Sequence, residues 1–571
     1  MSDEFTDLLA REVAAPPAKA LVPAVAGGEV ALGAFEGADR FNSTIALWDS
    51  PLKSADLEIL PEKTTVDGRA RDMLRNDAFV QGGANLHKDN IVGSHYLLNC
   101  RPATRVLLGK DDDLWEEEFQ EEVEAKWELY SDSPENWIDA ARTNNFTSLV
   151  RMAVGIHLMG GEVLAAAEWT TDDGSPYSTA IQMVDLDRLS DPKDMTGWRW
   201  IQSPDQRAGV RYNRRGAPVS YFVRSAHPND YGPVDFAPPK WDEIDRTKPW
   251  GRLQMIHLFE QVRPEQTRGI TEMAAALKAM KITHTWRDIT VQHAVTQAMY
   301  AAAITSELPT ADILQRMGGD SPEAAQAAIA AYAQGYMGAV GQYVGKGGIA
   351  IDGVKVPRLF PGEKFELKSA AGNGPLGSQF EQSLLRYMAA AIGVSYEQLS
   401  RDYTNTNYSS ARASMAETWK FMQARKKLIA DRFATIIFRL WLEEAINAGD
   451  IESAKRFRIY NPPRPGQRYG RLNSNFDALS RCDWVGASRG QIDELKETQA
   501  AVLRINNGLS TAEDELARLG KDWRKVYRQL KREMALREAL GLQFMATDPA
   551  TMAAMNALSA TPSDEGDSPR G

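Results

Sequence analysis

Between Phe380 and Gly449 the alternation of apolar and polar positions is at its most regular. A short apolar helix over Glu381–Ile392 stops at Gly393. Uncharged hydrogen-bonding side chains follow, and nearly forty residues then pass without glycine or proline before Gly449. In that run Met415, Trp419, Met422, Ile429, Phe433, Ile436 and Leu440 share one broad helical face. The spacing predicts an unbroken helix of about 39 residues, roughly 58 Å at 1.5 Å per residue. Upstream, residues 66–91 suit a helix, with a strand near His95 to Asn99. Trp115, Phe119, Val123 and Trp127 recur every four residues, and a second helix near Asn144 to Met159 ends at Gly160-Gly161. Apolar segments at 162–169, 180–186, 209–223 and 253–259 read as strands. Asn213-Arg214-Arg215-Gly216 is the turn of a hairpin, Gly supplying a positive φ. Residues 65–265 are therefore mixed helix and mostly antiparallel sheet.

A different texture starts at Arg268-Gly269. Met273, Leu277, Met280, Trp286, Ile289 and His293 keep helical spacing until Pro309. Residues 310–374 form a small inserted unit: an alanine-rich helix after Ser321-Pro322, a glycine-rich passage, and strands at 349–355 and 364–368. Near the end, a helix over 491–505 closes at Asn507-Gly508. Ser510-Thr511-Ala512-Glu513 has the form of a capping box, and Asp522 starts a helix running to about Leu540. The first sixty or so residues, with Pro16-Pro17 and Gly27-Gly28, read as an extended, partly mobile arm, and the last twenty-five or more as disordered. The fold class expected is α+β, multidomain.

Composition narrows this only where it is uneven. At 571 residues the chain predicts three or four modules, and its 43% hydrophobic and 25% charged residues fit a folded globular protein. No apolar run approaches the roughly 20 residues of a bilayer span, and acidic Asp3 and Glu4 begin the chain where a secretory signal would be basic. No membrane partner is expected. Cys100 and Cys482, far apart in sequence, offer neither a disulfide framework nor a thiolate metal site, which fits a reducing cytoplasm. Twelve Asp or Glu against one Lys between Asp111 and Glu135 account for the entire net charge of −11. That acidic helix face is expected to be solvated. Eight Lys or Arg against two Asp between Lys455 and Arg489 form a basic, proline-rich counterpart, suited to DNA, a partner's acidic face or the acidic helix of a neighbouring copy.

Enzyme signatures fail. Gly341-Gln342-Tyr343-Val344-Gly345-Lys346-Gly347 is one residue short of a phosphate-binding loop between its glycines, and Gly347 stands where a hydroxyl must hold magnesium. No His-Glu-x-x-His occurs, and His284 and His293 read as packing or interface residues. No catalytic residue, cofactor or metal is expected.

Several short segments, in this order and at these distances, resemble the lambda family of tailed-phage portal proteins over roughly Arg69 to Leu540. They are Arg69-Ala70-Arg71-Asp72 with Asn90-Ile91-Val92-Gly93-Ser94, Val262-Arg263-Pro264-Glu265-Gln266-Thr267-Arg268-Gly269-Ile270, Ile392-Gly393-Val394-Ser395-Tyr396-Glu397-Gln398-Leu399, Asn407-Tyr408-Ser409-Ser410-Ala411-Arg412-Ala413, and Ala501 to Thr511. The resemblance implies a twelve-fold ring at one capsid vertex of the virion, assembled in the host cytoplasm. Double-stranded DNA would be packaged and ejected through it. The partners implied are further copies of the chain, the terminase large subunit, a head-completion or adaptor protein, and the major capsid or scaffold protein. It also implies a domain order: arm 1–64, wing 65–267, stem helix 268–306, clip 307–376, second stem helix 377–393, tunnel loop 394–409, long wing helix and basic segment 410–486, crown 487–541 and tail 542–571.

That loop suits a passage for duplex DNA. A wall dense in Lys and Arg would bind phosphates tightly and brake sliding. Here Glu397, Arg401 and Asp402 are the only charges, among Ser395, Tyr396, Gln398, Tyr403, Thr404, Asn405, Thr406, Asn407 and Tyr408. Uncharged groups exchange hydrogen bonds with phosphate or water without fixing a register. The alternative is that these residues, Ser409 and Ser410 above all, are turn and N-cap formers ahead of a helix.

Overall fold

The computed structural model describes residues 50–171, 174–192, 205–228, 240–300, 376–404, 406–490 and 494–541, with isolated positions before residue 50 and between 323 and 356. The chain divides into Met1–Ser54, mostly outside those residues, and Ala55–Gly571, to which every element below belongs.

Two helices, α1 (Ala55–Asn76) and α2 (Ala78–Ile91), replace the single one expected from residue 66, and α1 takes the last ten residues of the expected arm. Asp77 separates them. Its carboxylate accepts from the N–H groups of Phe79 and Val80 at 2.9 and 3.0 Å and caps α2. There follow β1 (Leu97–Cys100), the short α3 (Thr104–Leu108), α4 (Asp113–Ser131) and α5 (Phe146–Gly160). The stripe Trp115, Phe119, Val123 and Trp127 of α4 is buried, as its spacing predicts.

The strands β2 (Glu162–Trp169), β3 (Thr179–Met183), β4 (Gln206–Arg207), β5 (Val210–Tyr212), β6 (Pro218–Arg224), β7 (Trp241–Asp245) and β8 (Met255–Phe259) make two antiparallel sheets, ordered β3-β2-β8 and β4-β5-β6-β7. Between β5 and β6 Gly216, at φ 77°, closes the predicted turn by donating to Asn213 O at 2.9 Å. β2 lies between two cores. Val163 and Ala165 pack with the helices, while Leu164 and Ala166 pack with Val210, Tyr221 and Val223 of the second sheet. A strand covered on both faces needs apolar residues at successive positions, which is why 162–169 reads as a continuous run.

A 3₁₀ turn, Glu272–Ala275, leads into α6 (Leu277–Tyr300). In the inserted unit the strand expected over 349–355 is a hairpin of β9 (Ile349–Ile351) and β10 (Val354–Val356). The strand expected at 364–368 and the glycine-rich stretch Gly341–Gly347 lie outside the described residues. After α7 (Leu376–Ile392) and α8 (Tyr396–Ser400), the predicted long helix comes in three parts: α9 (Tyr408–Arg425), a π-helical turn over Lys426–Ala430, and α10 (Asp431–Ala448). The π turn lets Lys426 reach inward, where its ammonium donates to Asp431 at 2.8 Å and to Trp484 O at 2.8 Å. Tyr96 donates to the same Asp431 carboxylate.

Then come α11 (Ser474–Leu479), β11 (Cys482–Val485), α12 (Glu494–Asn506), α13 (Ala512–Arg518) and α14 (Trp523–Ala539). β11 pairs antiparallel with β1, from Leu97 opposite Val485 to Cys100 opposite Cys482. Trp484 thereby joins an aromatic cluster around Trp127, whose ring lies 5.0 Å from Phe146, 5.3 Å from Trp441 and 5.7 Å from Phe438. Arg101 N–H donates to Arg481 O at 2.9 Å, so the Cys100/Cys482 pair occupies a non-hydrogen-bonded position, where cross-strand side chains come closest. The two thiols are free, and they are distant only along the chain.

Two expectations for the C-terminal helices change. Thr511, not Ser510, caps α13, accepting from Asp514 N–H at 3.1 Å, while Glu513 accepts instead from Arg101. The acidic face of α4 is not simply solvated: Arg528 pairs with Glu121 at 2.7 Å, Lys525 with Glu128 at 2.6 Å and Arg524 with Glu124 at 3.4 Å. No residue of α12 or α14 is buried, so charge pairing dominates the contact of α14 with α4. Burial pushes Glu124 up to about 7 despite Arg524 and the Cys100 N–H beside it. Among the described residues no helix is long and apolar enough to cross a membrane.

Candidate functional site

The segment 394–410 divides into two parts. Ser395 to Ser400 is a folded knot where a loop was expected. Ser395 caps α8 by accepting from Gln398 N–H at 3.3 Å, and the Gln398 side chain accepts from Ser395 N–H at 3.4 Å. This is a capping box, written in the sequence as Ser-x-x-Gln and not read there. Leu399 is buried, and a Cβ on Gly83 of α2 would touch it at 3.3 Å. The ring of Tyr396 lies 5.1 Å from the Arg386 guanidinium, and its hydroxyl reaches Asp402 at 3.5 Å. Ser414 donates to Glu397 at 3.5 Å. Ser395, Tyr396, Glu397 and Gln398 are thus half-buried, with their polar atoms partly used.

The second part is the exposed one. Arg401 ends α8 with φ 57°, which turns the chain outward. Asp402 then organises the tip, accepting from Thr404 N–H at 3.1 Å and from its hydroxyl at 2.6 Å. These two bonds hold the Asp402 carboxyl below its ordinary range. Arg401, Tyr403, Thr404 and Asn407 are exposed, and Thr406 is half-buried. Asn407 caps α9, accepting from Ser410 N–H at 2.8 Å, while Ser409 and Ser410, named for turn and cap roles in the alternative reading, lie inside the first turn of the helix. Asn405 lies outside the described residues, and of Tyr408 only the helical backbone is described.

The knot is fixed to the body from behind. Gly393, at φ 77°, ends α7 so close to Phe421 that a Cβ there would stand 2.4 Å from the ring. His87 of α2 reaches Ile392 O at 2.8 Å. That bond requires a proton on Nε2, and burial holds the ring neutral by lowering its pKa to about 4. α6 and α7 are joined by Arg287, which donates to Glu381 at 2.7 Å.

Sequence reasoning missed a buried charge cluster where β2 meets the segment 262–270. Glu162 accepts from Arg268 at 2.6 and 2.8 Å and from Gly269 N–H at 2.9 Å, with Lys63 at 3.2 Å and His257 Nε2 at 3.0 Å. Burial opposes its ionisation, but Arg268 and Lys63 hold it well below the ordinary carboxylate range. Arg268 also donates to the carbonyls of Leu186, Leu189 and Ala208 at 3.1, 2.8 and 3.0 Å. Thr267 donates twice to Asp56 of α1, at 2.8 and 2.6 Å. A Cβ on Gly269 would stand 2.2 Å from Gly161 O. The cluster fixes the chain where it leaves the sheets for α6. An unbroken run of polar residues leading into a helix was its only sequence signal.

Among the described residues Asp185, Asp187 and His227 converge at metal-like spacing, but Arg71 donates to Asp187 at 2.7 Å, and the group is an ion-pair knot. His284 pairs with Asp288 at 3.5 Å, and His293 is exposed.

Residues 41–426 match the description "Phage portal protein, lambda family". The chain is 36% identical over 514 residues to portal protein B of Escherichia phage lambda, covering 90% of this chain and 91% of that protein. It is 36% identical over 512 residues to the portal protein of Escherichia phage N15, covering 89% and 91%. A solved neck of an empty gene transfer agent particle, computed with C6 symmetry, aligns at 12% identity with a TM-score of 0.37, over 80% of this chain and 93% of that one.

Proposed function

The chain belongs to the lambda family of phage portal proteins, and from that premise we propose that twelve copies close into a ring whose channel is lined by the exposed tip at residues 401–407. A portal protein forms the passage at one capsid vertex through which the genome is packaged and ejected, and it is the docking platform for the terminase and the head–tail connector proteins. In our reading this chain hydrolyses nothing, and the terminase large subunit supplies the energy. Assembly takes place in the host cytoplasm, beside the capsid or scaffold protein.

The observation that carries the ring is the apolar surface left open on one copy. Ile282 and Ile289 of α6, Phe380 and Tyr387 of α7, and Leu503 and Met534 of the C-terminal helices are exposed, Met534 by 65%. Single exposed apolar residues are ordinary, whereas rows of them on successive helices call for a covering surface. The same rows on the neighbouring copy supply it around a closed ring. Native mass spectrometry should find a species of about 758 kDa (12 × 63.2). Only monomers and dimers at every salt concentration would refute the ring.

The channel assignment rests on the tip. Its two formal charges, Arg401 and Asp402, are opposite, and Tyr403, whose carbonyl accepts from Thr406 N–H at 3.2 Å, is 50% exposed. Replacing Tyr403 and Asn405 by Lys adds phosphate anchors repeated around the ring, so packaging in vitro should slow, with the defect fading as salt rises. An unchanged rate at low salt would remove the tip from the channel.

A further inference from the structure

Between Ile459 and Asn473 the chain leaves the core and returns as a loop pinned at its neck. Asn461 N–H donates to Arg471 O at 2.8 Å, and Asn473 N–H donates to Ile459 O at 3.0 Å. Gly470 belongs to that neck, since a Cβ there would stand 1.7 Å from Asn461 O. At the tip Arg464-Pro465-Gly466-Gln467 closes with Gln467 N–H donating to Arg464 O at 2.9 Å and Gly466 at φ 83°. Proline followed by a positive-φ glycine is the pattern of a type II turn, and Pro462 and Pro463 stiffen the approach. A second turn lies against this loop. Gly251 N–H donates to Lys248 O at 2.9 Å, Trp250 O accepts from Leu472 N–H at 3.1 Å, and the Trp250 ring lies 5.6 Å from that of Tyr469.

The two turns present Lys248, Arg464, Arg468 and Arg471, all exposed. None of the four has a carboxylate within ion-pairing distance among the described residues, and no Asp or Glu occurs between Asn461 and Arg471. The α4 acids take other partners, Arg524, Lys525 and Arg528. A protein-docking surface centres on a large aromatic or aliphatic anchor seated in a pocket, and here the apolar groups, Tyr469, the edge of Trp250, Pro462, Pro463 and Pro465, lie at the surface among the cations. Cations on a stiff support, free of acids, match instead the regular charge of a phosphodiester backbone, for which the planar guanidinium is the preferred donor.

We propose that this platform is a second DNA-binding surface, separate from the channel tip, that takes the backbone of duplex DNA lying against the outside of the protein. It rests on the portal reading only for the presence of packaged DNA.

A covalently closed DNA minicircle cannot thread a channel, so its binding to the assembled protein reports outside surfaces alone. Each phosphate contact contributes about 0.9 to the slope of log affinity against log salt. Replacing Arg464, Arg468 and Arg471 by Ala should make the slope shallower by about 2.7 per engaged copy, which shrinks the affinity loss between 50 and 200 mM salt by roughly 40-fold. Replacing the same three by Lys should keep the slope, which separates charge from a structural role. An unchanged slope in the alanine variant overturns the proposal. So does polyglutamate held as tightly as the minicircle, which would reassign the platform to an acidic protein. Packaging of linear DNA is scored in parallel: rings that package but do not hold minicircles lose this surface and keep the channel.

Discussion

Replacing Arg268 by Met tests whether the buried cluster around Glu162 holds the sheets to the segment that leads into α6. Glu162 keeps Lys63 at 3.2 Å, His257 at 3.0 Å and Gly269 N–H at 2.9 Å, so the broken ion pair should cost near the lower end of its usual range, about 3 kcal/mol. The carbonyls of Leu186, Leu189 and Ala208 lose a buried donor. At about 1 kcal/mol for each of the two fully buried ones, those of Leu186 and Leu189, the total reaches about 5 kcal/mol. With a urea m-value of about 2.5 kcal/mol per M, the unfolding midpoint followed by tryptophan fluorescence should fall by about 2 M. Replacing Glu162 by Leu as well removes the stranded carboxylate, and the midpoint should recover by about 1 M, since buried pairs cost most when only one partner is lost. A fall of less than about 0.5 M in the single variant, or additive costs in the double, would refute this account.

Three further outcomes are expected. His87 and His157, both buried and lowered to about 4, are neutral when folded, whereas the unfolded chain protonates them near 6.5. Stability should therefore fall as pH drops from about 6.5 toward 4, by up to about 3 kcal/mol for each group, and unfolding midpoints of a double Asn variant should show a smaller drop. Glu124, raised to about 7, has the opposite sign: folding takes up a proton between about 4.5 and 7, so α14 should be better protected from protease at pH 6 than at pH 8, and Glu124→Gln should remove the difference. Oxidised glutathione should couple Cys100 to Cys482 within one chain, two thiols being oxidised as the glutathione disulfide is reduced. The reaction should be slow because burial raises Cys482 to about 11, and mass spectrometry should find the loss of two hydrogens in the native chain and none in Cys482→Ser.

Features written locally were legible in the sequence. The apolar run of β2, the Asn213–Gly216 turn and the stripe of α4 depend on neighbours a few residues away. The pairing of β1 with β11 was not, because nothing near Leu97 specifies Val485 as its partner. The clasp of α14 on α4 was missed for the same reason: an acidic face looks alike whether water or a distant basic helix covers it. In the candidate site the polar composition of 394–410 is plain in the sequence, but the Ser395/Gln398 box inside it was taken for loop, so the exposed tip is shorter than expected. The π turn left no mark, since one extra residue in a helical turn keeps the stripe apolar while shifting its phase.

The partnership of Leu97 with Val485 sets a clock on biosynthesis. At about 5–20 residues per second, a ribosome that has made β1 needs roughly 20–80 s more to make its partner strand. Until then the edge of β1 stays unpaired, and the aromatic cluster lacks Trp484. The core of the subunit is completed only when nearly the whole chain has been made, so a prematurely terminated product cannot seal it.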